Sequence, residues 1–392
     1  MGEQTKPHLG ALTGLRFVAA FQVLAYHTLP LTDASPAWLR ALVGTGYVGV
    51  SLFFVLSGFV LTYTYHDTLT TGAVTRREFL VARVARLYPV YLLSMAFAVP
   101  ALLWWMQRKH IAMDLGWLAR LVGLSGGLLQ AWNPRTACVM NCPAWSLSVE
   151  AFFYVAFLFV LPVVPTWGVR RLLAAGAAAW ALSLAAPIVY LALRPDGPAA
   201  PEAHSVGVWL YSVKYNPLLR LPEFVMGVLA GRLFLLERRP WLTRRMRLEV
   251  SAAIVLLAAL IASPRIPFLL LHNGLLAPVF AALVYALARG EGALSRVLSV
   301  RALARLGTAS FALYILHIPL AAWMERGLGL AGAKPPQPWY FATYAAFAIG
   351  VSLAVHAWVE EPMRRVVRRR LSPPPITRDT SAVREADVAQ MA

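Results

Sequence analysis

The sequence predicts an all-α integral membrane protein with about ten transmembrane helices and with both termini in the cytoplasm. Hydrophobic residues make up 59% of the 392 residues, against roughly half in soluble domains, and charged residues 14%, against about a quarter. With the N-terminus inside, the cytoplasmic segments hold most of the 36 Lys and Arg, the asymmetry typical of inner loops. The net charge of +18 is therefore interpreted as a topology signal and needs no nucleic acid.

Ten apolar stretches are long enough, or nearly so, to cross a bilayer as helices. They lie at about 12–29, 47–65, 87–106, 147–165, 172–193, 219–236, 249–263, 273–289, 307–326 and 340–359. The segment 114–131 is only moderately apolar and carries Arg120 and a glycine pair, which predicts an interfacial or re-entrant helix.

One transmembrane domain is predicted over residues 1–365, followed by a polar, Pro-rich and disordered cytoplasmic tail over 366–392. Cys138 and Cys142 share one outer loop. They form either a disulfide or two free thiols. A metal site is not expected, because no further Cys or His lies nearby in the sequence to complete it.

The first span contains two ionisable residues, Arg16 and His27. Such residues are costly in a bilayer and indicate function by default. Their spacing is close to three helical turns, so both lie on one helix face, roughly 16 Å apart along the axis. That face carries a permanent cation near the inner end and a titratable base near the outer end.

The second span contains several small residues, Gly46, Gly49, Gly58 and the serines Ser51 and Ser57. Close helix packing explains them, and lining of the path along the first span explains them as well.

Two arginines, Arg83 and Arg86, precede the third span at i, i+3 spacing. They belong to the positive-inside pattern, but two guanidiniums on one helix face at the membrane surface also suit phosphate binding.

The fourth span begins with Trp145 and Ser146, followed by Glu150 and, one turn deeper, Tyr154. A carboxylate among aromatic residues is a site candidate, and a solvated interfacial role is the alternative.

Charged pairs occur in two later spans. Arg220 and Glu223 at i, i+3 are interpreted as an intrahelical ion pair. Glu360 and Glu361 stand beside a run of arginines at the inner surface, where local charge balance is the alternative to a ligand contact.

The ninth span aligns Ser310, Tyr314 and His317 on one face. A hydrogen-bonded structural stripe and a ligand-lining stripe are both consistent with this pattern.

These blocks together resemble the membrane acyltransferase-3 family, the O-acyltransferases of surface polysaccharides, Nod factors, peptidoglycan and some macrolides. The resemblance covers about 9–365 and is carried by the ordered set Arg16-x10-His27, GYVGVSLFFVLSGF, Arg83-x2-Arg86, WSLSVEAFFY, RLPEFVMG, ALYILHIPL and VEEP. The fused esterase-like domain of the long family members is absent from the sequence.

The resemblance implies an acyl-CoA donor, usually acetyl-CoA, as co-substrate without a further cofactor or metal. It implies a hydroxyl acceptor on a glycan, glycolipid or macrolide, and a bacterial inner membrane as the location. His27 is the predicted general base, Glu150 the predicted partner that fixes its tautomer, and Arg16 the predicted donor ligand or oxyanion stabiliser. The predicted substrate-binding residues are Arg83, Arg86, Ser57, Trp145, Ser146, Tyr154, Tyr314, His317 and Glu360.

A proton-coupled transporter is the rival class, because carriers also use intramembrane His, Glu and Arg. No inverted repeat is visible in the sequence, which disfavours it. The acceptor itself is not determined by the sequence, although the outer loops 107–146 and 194–218 are expected to shape its site.

Overall fold

The computed structural model describes residues 9–371, apart from 113, 237–247, 291 and 333–335. Within these residues the chain forms helices and no strand. The α-helices are α1 Gly10–Thr28, α2 Ala37–Gly44, α3 Val48–Thr70, α4 Arg76–Arg108, α5 Leu115–Gly126, α6 Trp145–Val160, α7 Val169–Leu193, α8 Val208–Tyr215, α9 Pro217–Leu236, α10 Leu248–Ile261, α11 Phe268–His272, α12 Ala277–Arg289, α13 Ala293–Leu298, α14 Arg301–Thr308, α15 Ser310–Leu330, α16 Gln337–Val355 and α17 Glu361–Leu371.

Every predicted apolar stretch falls on one or two of these helices. Among the described residues, six helical segments are long and apolar enough to cross a membrane, or seven if α14 and α15 form one span bent by 59°. The all-helical class is therefore confirmed and the chain is consistent with a membrane protein. The number ten and the sides of the termini stay predictions.

Helix α4 begins at a capping box and extends well beyond a bilayer. The Thr75 side chain accepts a hydrogen bond from the Glu78 amide (3.1 Å), and the Glu78 carboxylate accepts one from the Thr75 amide (2.8 Å). A helix of 33 residues is roughly 50 Å long, against about 30 Å of hydrocarbon. Its first turns, which carry Arg83 and Arg86, therefore continue the span without a break.

The core of the bundle lies around α3. In its most apolar window 72% of the residues are buried within the protein, whereas in the window of α7 only 22% are buried. Helix α3 packs on α1, α9 and α12, and α15 packs on α1, α4 and α16. Helix α3 is thus central, and most of α7 is left for lipid.

Glycines bring α3 into backbone contact with α9. A Cβ atom at Gly58 would meet the carbonyl oxygen of Phe224 and the amide of Val228, and a Cβ atom at Gly227 would meet the carbonyl of Val55. Nearer its N-terminus α3 approaches α1 in the same way through Gly49. The predicted close packing is confirmed, and α3 also lines a cavity described below.

We expect Gly58→Ala to destabilise the protein by about 1–3 kcal/mol or more, because a backbone atom of α9 cannot rotate away from the added methyl group. The measurement is the thermal unfolding midpoint of the purified protein in detergent. Gly176→Ala on α7 is the matched control, since nothing lies within 4 Å of its Cβ position. An equal loss in both variants would contradict the contact.

The remaining segments agree in part with the sequence predictions. The segment 114–131 contains α5, capped by the Asp114 carboxylate, which accepts from the amides of Gly116 (2.8 Å) and Trp117 (3.1 Å). Its position at the membrane interface stays a prediction. Helix α17 continues into the first residues of the predicted tail, and 372–392 lies outside the described residues.

Candidate active site

An inner cavity of about 100 Å³ lies between α1, α3, α4, α6 and α15. It collects polar residues from helices that are far apart in the sequence. Those named from the sequence are Arg16, Ser57, Arg83, Arg86, Ser146, Glu150, Tyr154, Ser310 and Tyr314.

Two cations in this cavity lack a direct partner. Neither Arg16 nor Arg86 forms a hydrogen bond or ion pair with any residue that the structure describes. Glu150 and Glu360 act on both guanidiniums electrostatically from a longer range. Partly buried guanidiniums with free donors make the cavity suited to an anion.

Arg83 differs from Arg86 because its guanidinium is already held. It donates to the Tyr65 hydroxyl (2.7 Å) and lies 5.1 Å from the centroid of the Tyr65 ring and 5.8 Å from those of Phe79 and Tyr154. Its Nε is buried and has no hydrogen-bond partner among the described residues. The Arg83–Arg86 pair therefore presents one anchored cation and one available cation.

Glu150 forms the polar wall opposite these arginines. Its Oε1 accepts hydrogen bonds from the Tyr154 hydroxyl (2.5 Å) and the Ser57 hydroxyl (3.5 Å). These bonds connect α6 to α3 and bring Ser57, Glu150 and Tyr154 together at the inner cavity.

An outer cavity of about 240 Å³ contains His27. Its wall comes from α1, α3, α6, α8, α11 and α15 and from the segments before α6 and α8. In the segment before α6, Cys138 and Cys142 form a disulfide. Aromatic and imidazole rings dominate the wall, namely Tyr26, Tyr47, Trp145, His204, Tyr211, Tyr215, Phe268 and His272. Val50 and Tyr314 line both cavities, so the two spaces meet at these residues.

His27 and His317 form a hydrogen-bonded pair that assigns the tautomer of His27. The His317 Nδ1 is 2.7 Å from the carbonyl oxygen of Tyr314, which can only accept, so Nδ1 carries the proton and Nε2 the lone pair of the neutral ring. His317 Nε2 is 3.2 Å from His27 Nδ1, which is also 2.9 Å from the carbonyl oxygen of Val23. His27 Nδ1 is therefore the donor, and its Nε2 is left as the basic atom.

His27 Nε2 is accessible to a ligand, because His27 is exposed to the outer cavity and its Nε2 bonds to no described residue. His317 in contrast is completely buried behind it, and the Tyr344 hydroxyl donates to its carbonyl oxygen. The pair thus consists of a supported inner ring and an accessible outer ring.

The prediction that Glu150 orients His27 is wrong in its geometry. Glu150 lies in the inner cavity and bonds to α3 and α6, whereas the ring against His27 is His317 on α15. The physical reason is the packing of α15 on α1, which no local spacing reveals. A role of Glu150 in the inner cavity stays a prediction.

Tyr314 lies at the junction of the two cavities and ties α15 to α6. Its hydroxyl is 2.8 Å from the Ser146 hydroxyl and donates to the carbonyl oxygen of Pro143 (3.1 Å). The stripe of Ser310, Tyr314 and His317 is consistent with both interpretations, the structural and the ligand-lining one. Its members are hydrogen-bonded, and Ser310 and Tyr314 line the inner cavity.

The Arg220–Glu223 pair is confirmed as an ion pair, 2.9 Å long and buried at both ends. Arg220 also donates to Ser51 (3.0 Å) and to the carbonyl oxygen of His272 (2.5 Å). These buried contacts form a structural network that joins α3, α9 and α11.

Glu360 does not line either cavity. It is buried and pairs with His356 (2.9 Å), whereas its neighbour Glu361 pairs with Arg364 (2.6 Å). Local charge balance by arginine is therefore confirmed for Glu361. Glu360 is paired with a histidine instead, and its contact with substrate stays a prediction.

The chain was compared with known proteins. A family model described as an acyltransferase domain matches residues 9–357. The chain belongs to the acyltransferase-3 family. It is 29% identical to acyltransferase MdmB of Streptomyces mycarofaciens over 92% of this chain and 93% of the relative. It is 27% identical to the exopolysaccharide production protein ExoZ of Rhizobium meliloti over 83% of this chain and 92% of the relative. No solved structure matches it significantly.

Membership of the acyltransferase-3 family identifies the chain as an acyl-transferring enzyme of the membrane, and the rival transporter interpretation is no longer needed. The predicted catalytic and substrate-binding roles of individual residues stay predictions. These residues fall into two groups by position. The inner cavity is lined by Arg16, Arg83, Arg86 and Glu150, and the outer cavity is lined by His27.

Sequence reasoning missed most of the outer cavity. Tyr26 on α1, Tyr47 just before α3 and His272 on α11 line it, and no motif connects them. One signal was available, because Lys214 is the only charged residue in the aromatic helix α8.

Proposed function

We propose that this enzyme transfers an acyl group, acetyl in the first instance, from cytoplasmic acyl-CoA to a hydroxyl of a sugar-containing acceptor. The observation that carries the proposal is a pair of adjacent cavities that share Val50 and Tyr314 as lining residues. One contains arginines without a partner among the described residues, and the other contains an accessible imidazole. The inner cavity then faces the cytoplasm of a bacterial cell, with ten spans and both termini inside.

The donor is assigned to the inner cavity on grounds of charge. Coenzyme A carries its phosphates at one end of a long, thin pantetheine arm. Arg86 and Arg16 have free donors for such an anion, and Arg83 is held beside them. Because Val50 and Tyr314 line both cavities, an arm that extends past these residues brings the thioester to the outer cavity.

The chemical step is assigned to His27. Its Nε2 accepts the proton of the acceptor hydroxyl while the oxygen attacks the thioester carbonyl carbon. The carbon–sulfur bond then breaks, and the proton passes from His27 to the sulfur of coenzyme A. During the step the imidazolium is stabilised by the hydrogen bond from its Nδ1 to His317.

The acceptor class is proposed from the relatives and from the wall of the outer cavity. ExoZ is named for exopolysaccharide production, and MdmB is named an acyltransferase. Aromatic rings such as Tyr26, Trp145 and Tyr215 offer flat faces on which a sugar ring stacks.

The test is acyl transfer by the purified protein in detergent, with radiolabelled acetyl-CoA and a panel of glycosides as acceptors. A carrier of another class would leave the label on coenzyme A. Failure to transfer label to any glycoside, together with failure to bind acetyl-CoA, would overturn the proposal.

We expect Arg86→Ala to raise the KM for acetyl-CoA by about 10–100-fold, because charge-assisted hydrogen bonds are worth about 1.5–3 kcal/mol each. The acceptor KM should change little. Steady-state kinetics with each substrate varied in turn gives both constants.

Arg77→Ala is the control for a general loss of positive charge, because Arg77 is exposed in the first turn of the same helix. It should leave the donor KM nearly unchanged. If Arg86→Ala raises the KM for the acceptor instead of the KM for acetyl-CoA, the assignment of the donor to the inner cavity is wrong.

A further inference from the structure

Lys214 is a buried cation in the wall of the outer cavity. It lies on α8 and only 4% of its surface is exposed. Its Nζ lies 5.1 Å from the ring centroid of Tyr215, 5.3 Å from that of Phe268 and 5.4 Å from that of Tyr211. Three aromatic rings thus surround the ammonium group, as in sites that bind a cation by its charge.

Among the described residues, no carboxylate forms an ion pair with Lys214. Its one hydrogen bond to a described residue goes to the carbonyl oxygen of Ala203 (3.2 Å), which leaves two N–H donors of the ammonium without a partner among the described residues. Asp196, the carboxylate at the start of α8, is occupied elsewhere, since it accepts from the amides of Trp209 (3.2 Å) and Leu210 (2.7 Å).

The rest of the described cavity wall offers no negative charge to balance this ammonium group. Among its described lining residues are His27, His204 and His272 and no Asp or Glu. A buried ammonium without a counter-ion is costly, because burial disfavours the charged form. Burial lowers the pKa of Lys214 to about 8, so most of the population still carries the charge at neutral pH. The charge is thus retained without a protein partner.

We infer that the acceptor carries an anionic group, a carboxylate or a phosphate, which binds Lys214 while the acceptor hydroxyl lies at His27. The inference rests on the proposed function, since it names the class of acceptor for the same site. An anion in this position supplies the counter-ion and occupies the free N–H donors. It also orients the acceptor, because the anion and the reacting hydroxyl are then held at two points of one cavity.

The experiment measures the binding of three sugar probes to the purified protein in detergent by calorimetry. The probes are p-nitrophenyl glucuronide, p-nitrophenyl glucoside and glucose 1-phosphate, so that the anionic sources are compared with a neutral sugar. The variants are Lys214→Met, which keeps the length of the side chain, and Lys214→Arg, which keeps the charge. Arg194→Met, at an exposed arginine of the same connecting segment, is the control for surface charge.

The wild-type protein is expected to bind at least one anionic probe about tenfold or more tightly than the neutral glucoside. Lys214→Met should remove this preference, and Lys214→Arg and Arg194→Met should retain it. The glucuronide and the phosphate arms then tell which anion the site prefers. Loss of all binding by Lys214→Met, the neutral glucoside included, would indicate a structural role and overturn the inference.

Equal affinity of the wild-type protein for charged and neutral probes would also overturn the inference, and so would a preference that persists in Lys214→Met. The inference is likewise overturned if neither anionic probe binds the wild-type protein at millimolar concentration. The proposed function is judged separately, because transfer of label from acetyl-CoA to the neutral glucoside would sustain it even when the anionic preference is absent.

Discussion

Replacement of His27 by Ala is expected to lower kcat by about 10²–10⁴-fold, the contribution of a positioned general base. The acceptor hydroxyl is a poor nucleophile while it keeps its proton. His27 Nε2 can accept that proton, because Nδ1 is the atom that bonds to Val23 and His317 and Nε2 has no partner among the described residues. The folded state should persist, because His27 is exposed and its backbone stays within α1. Single-turnover transfer from labelled acetyl-CoA measures the effect apart from product release.

His204→Ala is the matched control for His27→Ala. His204 lines the same cavity and stacks on Tyr26 at 6.0 Å, but it makes no contact with His317. We expect this variant to keep most of the activity. Near-wild-type turnover by His27→Ala would remove His27 from the chemical step, and an equal loss in both variants would point to the shape of the cavity instead.

Much of the fold follows from the sequence, because the constraint is strong and local. A bilayer forces the backbone to satisfy its hydrogen bonds within each span, so apolar stretches predict helices directly. The segments around Arg16, Gly58 and Tyr314 all became helices where the apolar pattern placed them. The bend of 59° between α14 and α15 is not among the sequence predictions, because the break at Ala309 falls inside the apolar stretch 307–326, which predicts one unbroken helix.

The inner cavity was also largely predictable. Arg16, Arg86 and Glu150 are charged residues in or beside apolar spans, and the cost of such residues in a membrane makes them stand out. The sequence does not determine that all three face the same cavity. Helical spacing defines a face within one helix, but it does not fix how each helix is rotated about its axis relative to its neighbours.

The His27–His317 contact shows where this reasoning ends. His317 was assigned to a stripe with Ser310 and Tyr314 on the basis of its own helix. Its partner is 290 residues away on α1, and the general pattern of base–orienter pairs predicts a carboxylate in that place. Packing of α15 against α1 decides the matter, and it leaves Glu150 to bond with Ser57 and Tyr154.

Replacement of His317 by Leu is expected to lower kcat by about 10–100-fold with little change in the KM for acetyl-CoA. His27 keeps its Nδ1 bond to the carbonyl oxygen of Val23, so its tautomer survives. The variant loses His317 Nε2, which accepts a hydrogen bond from His27 Nδ1 at 3.2 Å. This hydrogen bond becomes stronger when His27 is an imidazolium, and such charge-assisted bonds are worth about 1.5–3 kcal/mol.

His317 is thus a positioning residue, and its test must separate this hydrogen bond from simple packing. Tyr344→Phe provides the comparison. It removes the hydroxyl that donates to the carbonyl oxygen of His317, and it leaves the contact between the His27 and His317 rings unchanged. His317→Gln provides the second, since its amide oxygen can accept from His27 Nδ1 and should recover part of the lost kcat. If Tyr344→Phe lowers kcat as much as His317→Leu, or if Gln is no better than Leu, the ring serves to fill space. A drop confined to His317→Leu, with recovery by Gln, is the result expected of a hydrogen bond that stabilises the charged base.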